Sequence, residues 1–277
     1  MICVLASCAR EGSPLVRTAI FLDPEGALPT RSMDPDDNLI TDYNLMIFNS
    51  LGFLEEKLFI SSREMPQYRD GIKVKLLRGV PYTILAAANL GYALPEMDLE
   101  KALSYSFHLA YPDEFTRGIP MSAVLEDVEA TDEIHLPLRR LMARVDIITD
   151  LSMLDTGINM VFREAAVGNC PSSALLFSPS ERDGAQGTFA SGYFKKMTYG
   201  KATLYLLESL GDEGGPYIEL RAEYFSPTLN TKPGGRLFYR IHFDEAIRNA
   251  HYTIHVIPHG DGLSNDDPWL VDRRDLE

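Results

Sequence analysis

The sequence predicts an all-β chain folded as two β-sandwiches in tandem, with one helix on the N-terminal domain. Apolar and polar residues alternate with a period of two from about residue 39 to residue 256. The alternating runs are short, bounded by Gly, Pro and Asn, and only one segment carries a helical period. A chain of 277 residues is long enough for two ordinary domains, and 45% hydrophobic with 24% charged residues is globular composition.

Residues 1–38 read as a leader remnant, a tether and an N-terminal strand. Leu5-Ala6-Ser7-Cys8 matches the bacterial lipobox, in which a signal peptidase cuts before the cysteine and the thiol then carries diacylglycerol. Cys8 is therefore the expected lipid attachment site. Only seven residues precede it and none is basic, so the signal peptide is expected to begin upstream of Met1. Pro14, Pro24, Pro29 and Pro35 mark a tether, interrupted by the apolar island Leu15–Leu22, which reads as a strand for a sandwich edge. Val16, Thr18, Ile20 and Leu22 fall on one of its faces, Leu15, Arg17, Ala19 and Phe21 on the other.

Residues 39–167 read as the first sandwich. Strands are predicted at Tyr43–Phe48, with a turn at Asn49-Ser50-Leu51-Gly52, and then at Val74–Leu76, Tyr82–Asn89, Ile134–Leu136, Leu141–Ile147 and Ile158–Phe162. Leu99, Ala102, Leu103, Ser106, Phe107 and Ala110 fall at i, i+3, i+4, i+7, i+8 and i+11. That spacing predicts a helix over 99–110, capped by Asp98 and stopped by Pro112. Arg139, Arg140 and Arg144 read as solvated strand ends.

Residues 168–277 read as the second sandwich. The stretch 168–200 holds five glycines and two prolines with few periodic apolar positions, which marks it as the domain boundary. Beyond it Tyr217–Tyr224, Leu237–Phe243 and His251–Val256 alternate cleanly.

Charge and chemistry narrow the function. Lys and Arg total 26 against 40 Asp and Glu, a net charge of −14, which excludes a nucleic-acid binder because phosphate contacts need clustered cations. Cys3, Cys8 and Cys170 make neither a disulfide framework nor a metal-ligand spacing, and Cys170 reads as a small apolar filler. His251 and His255, four apart on a strand, stand about 13 Å apart, too far to share an ion. The acidic loop Gly260–Asp267 departs from calcium-loop spacing and reads as turn chemistry. No nucleophile elbow, zinc-binding helix motif, phosphate loop or dinucleotide fingerprint occurs. The expectation is a non-enzymatic protein without cofactor or metal.

Several segments together resemble the fimbrillin-type subunits of Bacteroidales surface (type V) pili, especially their lipoprotein anchor and minor subunits. Asp42–Gly52 is similar to the family's first strand and its F-x-x-x-G turn, and Arg78–Asn89 to its G-x-Y-x-x-x-x-x-A-N strand. Leu138–Val145 resembles L-x-R-x-x-A-K-V, with Arg144 in place of Lys, and Leu204–Ser209 resembles Y-x-x-E-N, with Ser209 in place of Asn. Arg248-Asn249-Ala250-His251-Tyr252, Gly260-Asp261-Gly262 and Trp269–Asp272 look like the closing R-N-x-x-Y … G-x-G … W signature.

The resemblance implies two transthyretin-like sandwiches, a lipoprotein of the outer membrane held by lipid on Cys8, and assembly with other pilin subunits. In polymerising relatives an N-terminal strand is cleaved off after a basic residue, opening a groove for a neighbour's strand. By resemblance, Arg17 and Arg31 are the candidate processing positions; retention of the lipid on Cys8 favours an uncut strand, as suits an anchor. The alternative function is a stand-alone surface lipoprotein that binds a glycan or a host protein through its sandwich loops.

Overall fold

The computed structural model describes residues 15–25, 38–109, 118–177, 194–210, 216–229, 231, 234–242, 245–263 and 269–275. The first half of the chain forms β1 (Leu15–Pro24), β2 (Asp42–Asn49), β3 (Leu54–Ser61), β4 (Ile72–Leu77), β5 (Pro81–Ala88), α1 (Leu99–Leu103), β6 (Ser106–His108), β7 (Met121–Glu129) and β8 (Glu133–Arg140). The second half forms β9 (Met142–Thr149), β10 (Asn159–Gly168), β11 (Ser173–Leu175), β12 (Lys195–Lys196), β13 (Lys201–Leu207), β14 (Ser209–Leu210), β15 (Tyr217–Phe225), β16 (Gly235–His242), β17 (Glu245–Ala246), β18 (Ala250–Val256) and β19 (Trp269–Asp275). The all-β prediction holds.

In the first sandwich one sheet runs in the order β3-β2-β5-β7-β8-β1-β4. β7 and β8 share only the pairs Met121↔Arg140 and Ser122↔Arg139, so this contact is a corner at which the sheet folds over itself. The fold brings β8, β1 and β4 over β2, β5 and β7. Ile20, Ile72, Val74, Ile134 and Leu136 then pack against Leu45, Ile47, Ile84 and Ala86. Alternate residues of β2 and β5 point the other way: Met46, Phe48, Leu85 and Ala87 enter a second apolar cluster beneath α1, β6 and β11. Burial on both faces explains the near-continuous apolar runs Leu45–Phe48 and Ile84–Ala88.

The second sandwich stacks β12-β10-β15-β16 on β13-β9-β18-β19. Its core follows the predicted alternation: Ile218, Leu220, Ala222 and Tyr224 of β15 face inward with Tyr239 and Ile241 of β16 and Tyr252, Ile254 and Val256 of β18. Cys170 is buried in that core, where desolvation pushes its thiol up to about 12, consistent with an inert filler.

Three expectations are corrected. Strand partners change between β8 and β9, not at residue 168, because β9 pairs with β13 and β18 and β10 pairs with β12 and β15. Expected boundaries at 38/39 and 167/168 therefore do not match the sheets: β1 belongs to the first sandwich, β9 and β10 to the second. The helix stops at Leu103. Asp98 caps it as expected, accepting from the Lys101 N–H at 2.9 Å. Phe107, however, is drawn into β6, which pairs with β11 through Phe107↔Ala174. Finally, Arg140 and Arg144 are not solvated: they are 2% and 8% exposed, and each is held by hydrogen bonds.

Candidate functional site: the seat of the N-terminal strand

β1 lies between two strands of its sheet, where the sequence suggested a sheet edge. It runs antiparallel to β4 from Leu15↔Leu77 to Ile20↔Ile72, and parallel to β8 from Ala19↔Glu133 to Pro24↔Leu138. Its two halves thus use different partners, overlapping at Ala19 and Ile20. The predicted faces are the observed ones. Val16, Thr18, Ile20 and Leu22 are buried, and Leu15 and Arg17 are exposed. Buried Thr18 satisfies its hydroxyl by donating to the Thr131 carbonyl at 2.7 Å, which resolves the cost of a polar group in this row.

The outward face is covered more than a solvent-facing strand would be. Gly71, at φ +82°, lies against it; a Cβ there would come within 3.1 Å of both the Ala19 Cβ and the Phe21 ring. Phe21 stacks on His135 of β8, with ring centroids 4.9 Å apart and planes 12° from parallel. Asp23 stands 3.7 Å from the same imidazole. From β2, the Tyr43 hydroxyl donates to the Leu22 carbonyl at 3.2 Å, and burial with the nearby Asp23 charge pushes that phenol up to about 12. At the strand's end Glu25 donates its N–H to the Leu138 carbonyl (2.9 Å) and its carboxylate pairs with Arg139 at 3.1 Å.

Of the expected site residues, Arg17 is exposed at the start of β1, opposite Lys75, before the pairing with β8 begins. Cys8 and Arg31 lie outside the described residues, as does the side chain of Trp269. Among the described residues no group of three or more His, Cys, Asp and Glu side chains is arranged to hold a metal ion. No helix among them is long and apolar enough to cross a membrane. His251 instead joins Asp146: its Nε2 is 2.8 Å from one carboxylate oxygen, Thr203 donates to the other at 2.6 Å, and Arg144 pairs with both. Burial raises the Asp146 carboxyl, and these hydrogen bonds with the Arg144 charge outweigh it and hold the group at about 2. The carboxylate stands between the histidine and the hydroxyl, so this order cannot activate Thr203 as a nucleophile.

Sequence reasoning missed two buried polar pairs, one of which links the two sandwiches. Arg248 and Glu208 form a buried ion pair at 2.8 Å, and Arg140 donates to Asn249 at 2.7 Å. The signal was present, because these four residues fall in three of the resembling segments. Their pairing across 40 and 109 positions could not be read from spacing.

No family model and no curated protein matches the chain. Solved structures do. A fimbrilin, FimA, from Porphyromonas gingivalis superposes with a TM-score of 0.65 at 13% identity, over 95% of this chain and 97% of that one. The tip fimbrial protein Mfa3 from the same species gives 0.61 at 13%, over 95% and 100%. A fimbrial assembly protein from Parabacteroides distasonis gives 0.60 at 13%, over 94% and 96%. At nearly full length on both sides, the chain has the two-sandwich fold of these Bacteroidales fimbrial proteins.

Proposed function

We propose that this protein is a structural subunit of a cell-surface pilus, an anchoring or accessory subunit held in the outer membrane by lipid on Cys8, which meets its pilin neighbours by strand exchange. One observation carries the reading: the first described strand fills an interior position in a sheet, paired with β8 on one side and β4 on the other. β1 precedes every other described strand, so it leaves such a seat without dragging those strands through the fold. The slot it leaves offers two strand edges and a row of side-chain pockets, which is what strand addition requires. The exposed Arg17 at the mouth of the seat supports a processing role in relatives that polymerise, and the uncut strand suits an anchor. The shared fold with fimbrial proteins supports the same reading.

The test is deletion of residues 15–22 with the lipid site kept. The expected result is a lower melting temperature and altered capture of pilin from native outer membranes. Unchanged melting and unchanged capture would make the segment a tether and end the strand-exchange reading. For the anchor, Cys8→Ala is expected to abolish palmitate labelling and release the protein from the membrane fraction; labelling that survives removes Cys8 from that role.

A second reading, a surface protein that binds a glycan or host protein, is favoured by the outer face of the β12-β10-β15-β16 sheet. There the Arg221 guanidinium lies 3.2 Å above the Phe194 ring and Arg240 lies 5.1 Å from Tyr217, with Phe238 51% exposed beside them. Binding to a glycan array by protein from cells without pili would favour it over the pilus reading.

A further inference from the structure

Arg140, the last residue of β8, is the largest fully buried side chain among the described residues, and its guanidinium touches three separate parts of the molecule. One terminal nitrogen, Nη1, donates to the main-chain carbonyl of Glu25, the residue that leaves β1, at 2.9 Å. The same nitrogen donates to the Asn249 side-chain oxygen in the second sandwich at 2.7 Å. The other, Nη2, donates to the side-chain oxygen of Asn38, ahead of β2, at 2.7 Å.

Asn249 is itself fixed. It sits at φ 62°, in the left-handed region that Asn tolerates better than most residues, and its N–H donates to the Met142 carbonyl at 3.0 Å. Its neighbour Arg248 is locked by the buried pair with Glu208. One buried cation therefore ties the exit of β1 and the entry to β2 to a rigid corner of the second sandwich.

We propose that Arg140 is a positioning residue for the strand seat: it fixes the register of whichever strand fills the seat and couples that occupation to the second sandwich. The proposal rests on the seat reading above. A guanidinium presents its donors in a fixed fork, and a buried donor left unmade costs more than an exposed one. The occupying strand must therefore supply a main-chain carbonyl at the Glu25 position. A strand seated one residue out of register would turn its apolar row outward and carry that carbonyl about 3.3 Å away from Nη1. A strand ending before that point would take the Glu25 carbonyl away from Nη1 and leave that nitrogen the Asn249 oxygen. The coupling is reciprocal in principle, since a free energy linking two sites acts in both directions.

The test uses the full chain and amide hydrogen exchange, with no partner present. Asn249→Ala, on the second-sandwich side of the guanidinium, is expected to speed exchange of the Phe21, Leu22, Asp23 and Glu25 amides by about tenfold. Leu22→Ala, on the β1 side, is expected to speed exchange at Asn249 and Ala250. Arg140→Lys, which keeps the charge and loses the fork, is expected to do both. Faster exchange confined to the neighbourhood of each substitution would overturn the proposal and leave Arg140 a local packing residue. Should Arg140→Lys fail to fold, the Asn249 and Leu22 variants decide the matter alone. Coupling without pilin capture would count only against the pilus reading, and capture without coupling only against this one.

Discussion

Ile20→Ala tests whether β1 is part of the core or a strap laid on it. Ile20 is 1% exposed and is the one inward-facing residue at which β1 pairs with both neighbours, opposite Ile72 of β4 and Ile134 of β8. The substitution removes three carbons, about 2.4 kcal/mol at roughly 0.8 kcal/mol per buried methylene. The hole is walled by strands hydrogen-bonded on both sides, so it collapses poorly and the cavity adds to the loss; about 3–4 kcal/mol in all is expected. Leu15→Ala is the matched control on the same strand, since Leu15 is 65% exposed, and should stay within about 0.5 kcal/mol. Urea unfolding followed by far-ultraviolet circular dichroism measures the loss. Trp269, the only tryptophan and a residue of β19, reports by fluorescence whether the second sandwich unfolds with the first. A loss under about 1 kcal/mol, or one equal to that of Leu15→Ala, would refute the central seat.

Three further outcomes are expected. Gly71→Ala should destabilise the first sandwich by about 1–3 kcal/mol, because it combines a left-handed backbone with a close approach to Ala19 and Phe21, and urea midpoints will read it. Asp146→Asn should remove the part of the acid sensitivity that this carboxyl contributes. The folded carboxyl, at about 2, lies below its ordinary 3.8, so its stabilisation is complete above about pH 4 and is lost as pH falls toward 2. That shift is worth about 2 kcal/mol at neutral pH, and a wild-type and variant pair with parallel stability curves from pH 5 to 2 would contradict it. Limited trypsin digestion should cut at Arg17 faster in Ile20→Ala than in the wild type if cleavage proceeds through local release of β1; equal rates would mean that Arg17 is reached without opening the seat.

The fold was legible where burial is one-sided. β15, β16 and β18 each place one face in the core and one toward solvent, so their period of two maps directly onto the structure. It was less legible where a different force decides. The helical spacing at Leu99–Ala110 is real, but Phe107 gains more from pairing with β11, a partner over sixty residues downstream that no local window contains. β3 and β7 went unread: Glu55, Glu56 and Lys57 break the apolar pattern of one, and Glu126, Asp127 and Glu129 that of the other. The face assignment of β1 was legible from Val16, Thr18, Ile20 and Leu22, and its place between β8 and β4 was not, because the partners Leu15↔Leu77 and Ala19↔Glu133 are 62 and 114 positions apart in the sequence and meet only through the fold. Arg140 looked like a surface charge because an arginine in a strand of mixed pattern usually is one; its burial depends on Glu25, Asn38 and Asn249 converging on it.

The same row of side chains predicts what a replacement strand must look like. Val16, Ile20 and Leu22 fill apolar positions, which many strands could satisfy, but Thr18 stands between them with no exposed surface and donates to the Thr131 carbonyl. An aliphatic residue of equal volume there would fill the space and forfeit that hydrogen bond, at a cost of about 0.5–1.5 kcal/mol. A donor strand matched to this seat therefore carries Ser or Thr two positions ahead of its central β-branched residue. Thr18→Ser should keep most of the stability and Thr18→Val should lose it, although valine is the better fit by shape and by strand propensity. If Thr18→Val proves as stable as the wild type by urea unfolding, polarity at this position does not select the occupant, and the seat discriminates by apolar volume and register alone.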